Sequence, residues 1–113
     1  MGATSVPWEV DVATVKRRLD AGEKFCFVDC RERDEHQRVH IAGTMLIPMS
    51  ELTTRAAELE PHRGESIVVH CHHGGRSLRV AQWLRQNGFE QAQSMAGGIH
   101  QWAEQIEPGM TKY

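Results

Sequence analysis

A β-branched run at residues 67–69 (Ile-Val-Val) leads through a glycine-containing loop, residues 71–76, into an amphipathic stretch. β-Branched side chains favour strands. Apolar residues about one turn apart, such as Val80 and Leu84, favour a helix that buries one face. Asn87-Gly88 then supplies a helix stop. This strand–loop–helix unit predicts a chain in which strands alternate with helices.

Strand-like and helix-like stretches alternate over the whole length of the chain. Near the N-terminus, Asp11 is expected to cap a helix that Gly22 ends. The other predicted strands are a buried strand at residues 25–28, a strand at 44–47 stopped by Pro48, and an edge strand at 93–95. The other predicted helices are a short helix starting near Asp34, a helix capped by Ser50 that runs to about Leu59, and a closing helix that holds Trp102 after Gly97-Gly98.

Alternating strands and helices are typical of an α/β domain with helices on both faces of a mostly parallel sheet. We therefore expect three layers, with about four to five strands in the central sheet. No repeat, low-complexity tract or linker interrupts the 113 residues, and domains cluster near ~100–150 residues. The sequence predicts one domain over residues 1–113, with its core at about residues 10–104.

The composition is that of an ordinary globular protein, with 40% apolar residues, 25% charged residues and a net charge of -2. A nucleic-acid binder normally has a basic surplus, and no apolar run approaches the ~18 residues that span a membrane. Met1-Gly2 resembles a myristoylation start, but Val6 stands where Ser or Thr is expected. We therefore expect neither a nucleic acid nor a membrane as a partner.

Cys71 is the candidate nucleophile, because ligands of open α/β sheets bind where the strands end. The loop returns into a helix N-terminus, whose free N–H groups and dipole favour an anion. Gly74 and Gly75 are expected to take positive φ angles that aim N–H groups at one point, and Arg76 adds a positive charge. These features favour the thiolate, which is the reactive form of cysteine.

Two other interpretations of this segment were weighed. Cys71 can be a small buried hydrophobe beside a simple turn, but the Gly-Gly-Arg-Ser continuation at a helix start argues against that. The adjacent histidines suggest a metal, but four consecutive residues, 70–73, rarely converge on one ion, and the usual ligand spacings are absent. We therefore predict no metal, and expect His72 and His73 to line the pocket and tune the charge that an anionic donor meets.

Four motifs in register carry a family resemblance over about residues 10–102. The pattern Cys-x-x-Gly-x-Arg-Ser is matched by Cys71, Gly74, Arg76 and Ser77. Further matches are Asp29-Cys30-Arg31 followed by Glu35, His40-Ile41-Ala42-Gly43, and Met95-Ala96-Gly97-Gly98 with Trp102. With these motifs the chain resembles the rhodanese family, and the resemblance implies a three-layer rhodanese-like domain.

The resemblance implies a sulfurtransferase that works by double displacement, without a cofactor. Cys71 would take a sulfane sulfur from thiosulfate or a related donor, become a persulfide, and pass the sulfur to cyanide, a small thiol or a protein thiol. The expected anion-binding loop consists of His72, His73, Gly74, Gly75, Arg76 and Ser77. Asp29 and Arg31 are expected to order the active-site region, although a purely structural ion pair fits the sequence nearly as well.

Three alternative functions follow from the same resemblance. The first is a sulfur-relay module that receives persulfide from a protein partner, and an intact loop does not distinguish this from an enzyme. The second is a phosphatase or arsenate reductase; the related phosphatases have one more residue between Cys and Arg, so the six residues from Cys71 to Arg76 argue against it. The third is a regulatory domain without chemistry, which the presence of Cys71 disfavours.

The remaining cysteines and His40 have weaker signals. Three cysteines are an odd count in a chain without a secretion signal, which indicates reduced thiols and predicts a cytoplasmic protein. Cys26 and Cys30 are expected to be core residues. A lesser possibility is that Cys30 resolves the persulfide as a disulfide, which requires it to lie close to Cys71. His40 is expected to be structural.

Overall fold

Strands and helices alternate along residues 6–113, the part of the chain that the computed structural model describes. The strands are β1 (Glu9–Val10), β2 (Cys26–Asp29), β3 (Met45–Leu46), β4 (Ile67–His70) and β5 (Ala92–Met95). The α-helices are α1 (Val12–Asp20), α2 (Arg33–Arg38), α3 (Leu52–Arg55), α4 (Gly75–Gln86) and α5 (Gly98–Gln105). Short 3₁₀ segments, Met49–Glu51 and Ala56–His62, flank α3.

The five strands form one sheet in the order β1-β5-β4-β2-β3, and every neighbouring pair is parallel. Side chains alternate between its two faces, as strand geometry requires. Val28 and Val69 pack with α3 and α4 on one face. Phe27 and Val68 pack with α1 and α5 on the other. The predicted α/β class, with helices on both faces of a parallel sheet, is confirmed.

The helix boundaries expected from capping residues are confirmed in α1 and α4. The Asp11 carboxylate accepts the Thr14 N–H at 2.8 Å, and Gly22 follows the last turn of α1 with a φ of 72°. Asn87 is the C-terminal cap of α4, and Gly88 follows with a φ of 94°. Glycine is favoured at these two positions because it has no Cβ to clash in the left-handed region.

The expectation that β5 is an edge strand is wrong. β5 lies between β4 and β1, and β1 forms the edge of the sheet by pairing Glu9 with Ser94 and Val10 with Met95. Two residues cannot show an alternating pattern, so the sequence carries no periodic signal for β1. Buried on both faces, β5 is instead a core strand.

The helix expected from Ser50 to Leu59 is also wrong. This stretch forms a 3₁₀ turn, the four-residue α3 and a second 3₁₀ segment that contains Pro61. The Ser50 hydroxyl does not cap a helix; instead it donates to a Glu32 carboxylate oxygen at 2.7 Å. Glu32, which is distant in the sequence, thus binds the side chain that the local sequence pattern predicts to be a helix cap.

The strand ends place Cys71 next to Cys30. β4 is the middle strand of the sheet, and it pairs with β2 so that His70 lies opposite Asp29. The Cys30 N–H extends this ladder by donating to the His70 carbonyl at 3.0 Å. The residues that follow each strand, Cys30 and Cys71, therefore emerge side by side at the carboxyl edge of the sheet.

The structure tests only one of the two sequence features that concern membranes. Within residues 6–113, no helix combines the length and the apolar character needed to cross a membrane. The Met1-Gly2 start lies outside the described residues.

We expect Leu84→Ala to lower the free energy of unfolding by about 2–5 kcal/mol, because it removes buried methyl groups and leaves a cavity between α4 and the sheet. Leu84 is fully buried, whereas Leu19 is 37% exposed. Leu19→Ala is the matched control and should change stability by less than about 0.5 kcal/mol. Urea unfolding followed by circular dichroism measures both; equal effects of the two variants would contradict this packing.

Candidate active site

The Cys71 sulfur is surrounded by hydrogen-bond donors of the loop that follows β4. The backbone N–H groups of Gly74 and Ser77 donate to Sγ at 3.1 and 3.3 Å, and the Ser77 hydroxyl oxygen lies 3.4 Å from it. Only 1% of Cys71 is exposed. A buried sulfur with this set of donors is a site built for a thiolate.

Sγ takes the place of a helix cap at the start of α4. The capping position is Gly74, which has no side chain to offer and adopts a φ of 114°. Without a capping side chain, the first N–H groups of a helix lack partners, and Sγ satisfies that of Ser77. Gly75 differs from the expectation, because it is the first helical residue and does not have a positive φ. Only one of the two glycines is therefore required for the turn.

A second buried hydroxyl lies within hydrogen-bond distance of the Ser77 hydroxyl. The Ser94 hydroxyl on β5 lies 2.7 Å from that of Ser77, and both hydroxyls can donate to the Gly74 carbonyl, at 3.4 and 3.2 Å. When Cys71 is a thiolate, Ser77 donates its proton to Sγ and Ser94 donates to Ser77. The sequence analysis missed Ser94, because nothing near it in the sequence marks it as different from any other strand serine.

The Cys30 thiol influences the ionisation of Cys71. Hydrogen bonding from Cys30, together with that from Ser77 and Gly74, lowers the pKa of Cys71 to about 4 against the opposing effect of burial. The same bond, and then burial, raise the pKa of Cys30. Cys30 thus stays protonated as the donor, while Cys71 carries the charge.

Arg76, which was expected to add a positive charge beside Cys71, is paired with an acidic residue. Its guanidinium forms two hydrogen bonds with the Glu35 carboxylate, at 2.7 and 2.9 Å. The contact with Arg76 lowers the pKa of Glu35 to about 2. The field of Arg76 at the sulfur is therefore largely offset by this partner, and the hydrogen-bond donors provide most of the stabilisation of the thiolate.

Asp29 and Arg31 form a fully buried ion pair beside the loop. The Arg31 side chain donates to both carboxylate oxygens, at 3.0 and 2.7 Å, and also to the Val39 carbonyl at 2.7 Å. Burial opposes ionisation of Asp29, but the bonds from Arg31 outweigh it and lower the pKa of Asp29. A pair held by this many bonds fixes the backbone that follows β2.

Tyr113 connects this ion pair with Arg76 and the loop. Its hydroxyl donates to Glu35 at 2.9 Å and accepts from Arg31 at 3.0 Å. Its ring stacks on His72 with a centroid distance of 4.0 Å. The sequence analysis missed Tyr113 because the contact joins residues 78 positions apart in the chain. The structure thus brings the expected supporting residues and the loop into one connected network.

The loop histidines lie next to His100 of helix α5. His73 is exposed and His72 half-buried, and their rings lie 3.9 Å apart. His100 of α5 joins them, so that one nitrogen from each of the three residues lies within 4.8 Å of the others. His70, which precedes these histidines in the sequence, is fully buried in the sheet and does not join them. No local pattern predicts His100 as a member of this group.

Helix α5 is held against the loop by its backbone. The Ile99 and His100 N–H groups donate to the carbonyls of Cys71 and His72 at 2.9 and 3.1 Å. Gly98 allows this approach, because a Cβ at this position would collide with both carbonyl oxygens. The loop is thereby fixed from two sides, by α4 and by α5.

Comparison with known proteins finds one family over most of the chain. The model of the rhodanese-like domain matches residues 11–105. The putative sulfur carrier protein YrkF of Bacillus subtilis is 31% identical over 105 residues, which cover 93% of this chain and 55% of that protein. The probable adenylyltransferase/sulfurtransferase MoeZ of Mycobacterium tuberculosis is 32% identical over 112 residues, which cover 99% of this chain and 27% of that protein. The chain thus spans about half or less of these relatives.

Similar solved structures include domains of the same size. The human single-domain sulfurtransferase TSTD1 superposes with a TM-score of 0.76 at 27% identity, covering 88% of this chain and 97% of that one. A rhodanese-related protein of Thermoplasma volcanium has a TM-score of 0.79 at 29% identity, covering 95% of this chain and all of that one.

We predict that Cys30→Ala raises the pKa of Cys71, because the variant lacks the S–H donor of the thiolate. The pH dependence of Cys71 alkylation by iodoacetamide, followed by mass spectrometry in the presence of a chelator, measures this pKa. In the wild type the midpoint should lie well below the ~8.5 of a free cysteine, and in the variant it should move upward.

Cys26→Ala is the matched control, because Cys26 is a buried cysteine of the same strand region that donates nothing to Cys71. It should leave the midpoint unchanged. Cys30→Ser keeps a donor and should fall between the wild type and Cys30→Ala. A midpoint that is the same in all four proteins would rule out Cys30 as the donor.

Proposed function

Because the chain belongs to the rhodanese-like domain family, we propose that it is a sulfurtransferase with Cys71 as its nucleophile. The proposal rests on one observation: two backbone N–H groups and a hydroxyl converge on the buried Cys71 sulfur. Relatives described as a sulfur carrier and a sulfurtransferase support it. No resident cofactor is required by this chemistry.

The first step transfers sulfur to the protein. The Cys71 thiolate attacks the outer, sulfane sulfur of thiosulfate, a new S–S bond forms, and the bond inside thiosulfate breaks. Sulfite leaves with the bonding electron pair, and Cys71 becomes a persulfide whose outer sulfur carries the negative charge. The low pKa of Cys71, about 4, keeps the attacking thiolate available at neutral pH.

The loop then stabilises the persulfide. The N–H groups of Gly75 and Arg76 belong to the first turn of α4, where they have no intrahelical carbonyl to bind. They are available to the outer sulfur anion, in the manner of an oxyanion hole. In the second step a thiolate or cyanide attacks the outer sulfur, and Cys71 leaves as the thiolate with which the cycle began.

We propose thiosulfate or a related anionic sulfane donor as the substrate, and a thiol as the acceptor. His72 and His73 are part of the loop, and its backbone donors that hold a thiolate suit an anion. Cys26, Cys30 and Cys71 all have free thiols, and free thiols are typical of a reducing compartment such as the cytoplasm.

A sulfur-relay module that passes persulfide between proteins is the second candidate. It is favoured by the similarity to a protein described as a sulfur carrier and by the small exposed part of Cys71. The two candidates differ in kinetics. An enzyme turns over with thiosulfate and a small thiol, whereas a relay module becomes persulfidated rapidly only by a protein persulfide donor.

We predict that Cys71→Ser loses sulfur transfer by at least about a thousandfold, because an alcohol cannot form a persulfide, while the protein remains folded. Intact mass spectrometry after incubation with thiosulfate should detect one added sulfur atom on the wild type. Cyanide should remove that sulfur. The variant should show neither change.

Two controls make this result specific to Cys71. Cys26→Ser should retain the mass shift, since Cys26 lies at the start of β2, far along the strand from the loop. The thermal midpoint of Cys71→Ser should show a folded protein. Sulfur transfer by Cys71→Ser within a few fold of the wild type would refute the assignment of the nucleophile.

The loop length predicts the class of substrate. The native protein should not hydrolyse a generic aryl phosphate, because the six residues from Cys71 to Arg76 draw the donors around a single sulfur. Inserting one glycine between Gly74 and Gly75 should disperse the N–H groups and impair sulfur transfer. Initial rates with thiosulfate and with p-nitrophenyl phosphate measure both. Phosphatase activity that disappears in Cys71→Ser, with no persulfide from any donor, would favour a phosphatase instead.

A further inference from the structure

Three histidines from two parts of the chain meet beside the active-site loop. Residues 72–74 form a bend, which brings His72 and His73 side by side with ring centroids 3.9 Å apart. His100, in the first turns of α5, lies 4.9 Å from His73 and 6.1 Å from His72 by the same measure. We call these three residues the histidine cluster.

The cluster has dimensions close to those of a metal site. One ligand nitrogen from each residue lies within 4.8 Å of the others. Zn–N bonds of about 2.0–2.1 Å in a tetrahedral site place the nitrogens about 3.3 Å apart. Closing the cluster on an ion therefore needs movements of little more than 1 Å per ring, roughly a small side-chain rotation, and His73 is free to make it because it is exposed.

Two nitrogens of the cluster are buried without a hydrogen-bond partner. They are Nε2 of His72 and Nδ1 of His100. A buried polar atom without a partner is unfavourable, and each of these two is an acceptor or donor that the described part of the chain leaves unused. Metal coordination would satisfy both atoms at once.

The surroundings of His100 determine which of its two ring nitrogens is left unused. Its Nε2 faces the Glu104 carboxylate at 3.6 Å, one turn further along α5. A metal-binding histidine typically donates its second ring N–H to a carboxylate, which fixes the tautomer and makes the other nitrogen a better ligand. Glu104 is therefore placed to accept from Nε2 after a small side-chain rotation, with Nδ1 left for the ion.

His72 is prepared for the same role. Its ring is stacked on that of Tyr113 at 4.0 Å, which restricts its rotation.

We propose that His72, His73 and His100 bind one Zn²⁺ ion, with Glu104 as the partner that orients His100. Three imidazoles and an open fourth position suit zinc among the available divalent ions. Two of the ligands lie in the loop that follows Cys71, so the ion would sit at the border of the anion-binding loop. This inference is independent of the proposed function, because it does not require Cys71 to react.

The test is Zn²⁺ titration by calorimetry with purified Cys71→Ser protein, which removes the reactive thiolate as a competing ligand. We expect one ion per chain. In the same background, His100→Ala should lower the affinity at least tenfold, about the size expected for a lost ligand or orienting partner. The variant should remain folded, because the hydrogen bond from the backbone N–H of residue 100 to the His72 carbonyl is kept. Thermal unfolding without metal verifies this.

His40→Ala is the matched control. His40 and His36 form a stacked pair on the surface, with centroids 4.1 Å apart, and are the competing place for a histidine-bound ion. Co²⁺ provides a second readout: its tetrahedral d–d absorption should appear with Cys71→Ser, without a thiolate charge-transfer band, persist in His40→Ala and vanish in His100→Ala. Binding that survives His100→Ala, or that is lost in His40→Ala, would overturn the proposal.

Discussion

The hydrogen bonds that Gly74 and Ser77 donate to the Cys71 sulfur organise the active-site side of this protein. They join the end of the central strand to the start of α4, so one atom is both a helix cap and the proposed nucleophile. A charged sulfur strengthens the cap, and the helix N-terminus in turn favours the charge. Structural stability and chemical reactivity are therefore linked at the same atom.

The charged side chains around this sulfur form ion pairs with one another. Arg31 is bound to Asp29, and Arg76 to Glu35, while Tyr113 lies between the two pairs and bonds to a member of each. Neutral donors, above all Cys30 and Ser77, are left to face the thiolate. Such an arrangement stabilises an anion without a strong positive field.

Much of the fold and the centre of the site follow from local sequence. The β-branched run at residues 67–69, the helix stop at Asn87-Gly88 and the glycine at position 74 each have a local physical cause, and the structure contains the element expected from each. What could not be predicted depends on distant partners. Ser50 binds Glu32 instead of capping a helix, and β1 is defined only by its pairing with β5. Ser94, His100 and Tyr113 reach the site through the tertiary fold alone.

The contact between Cys30 and Cys71 makes the acidity of the Cys71 thiol a property of the finished fold. The two residues meet only after β2 and β4 have paired, and their sequence separation means that this pairing needs a long loop to close. In an unfolded or partly folded chain Cys71 is an ordinary thiol that is mostly protonated at neutral pH. The thiolate form of Cys71 at neutral pH is therefore confined largely to molecules that have completed the sheet.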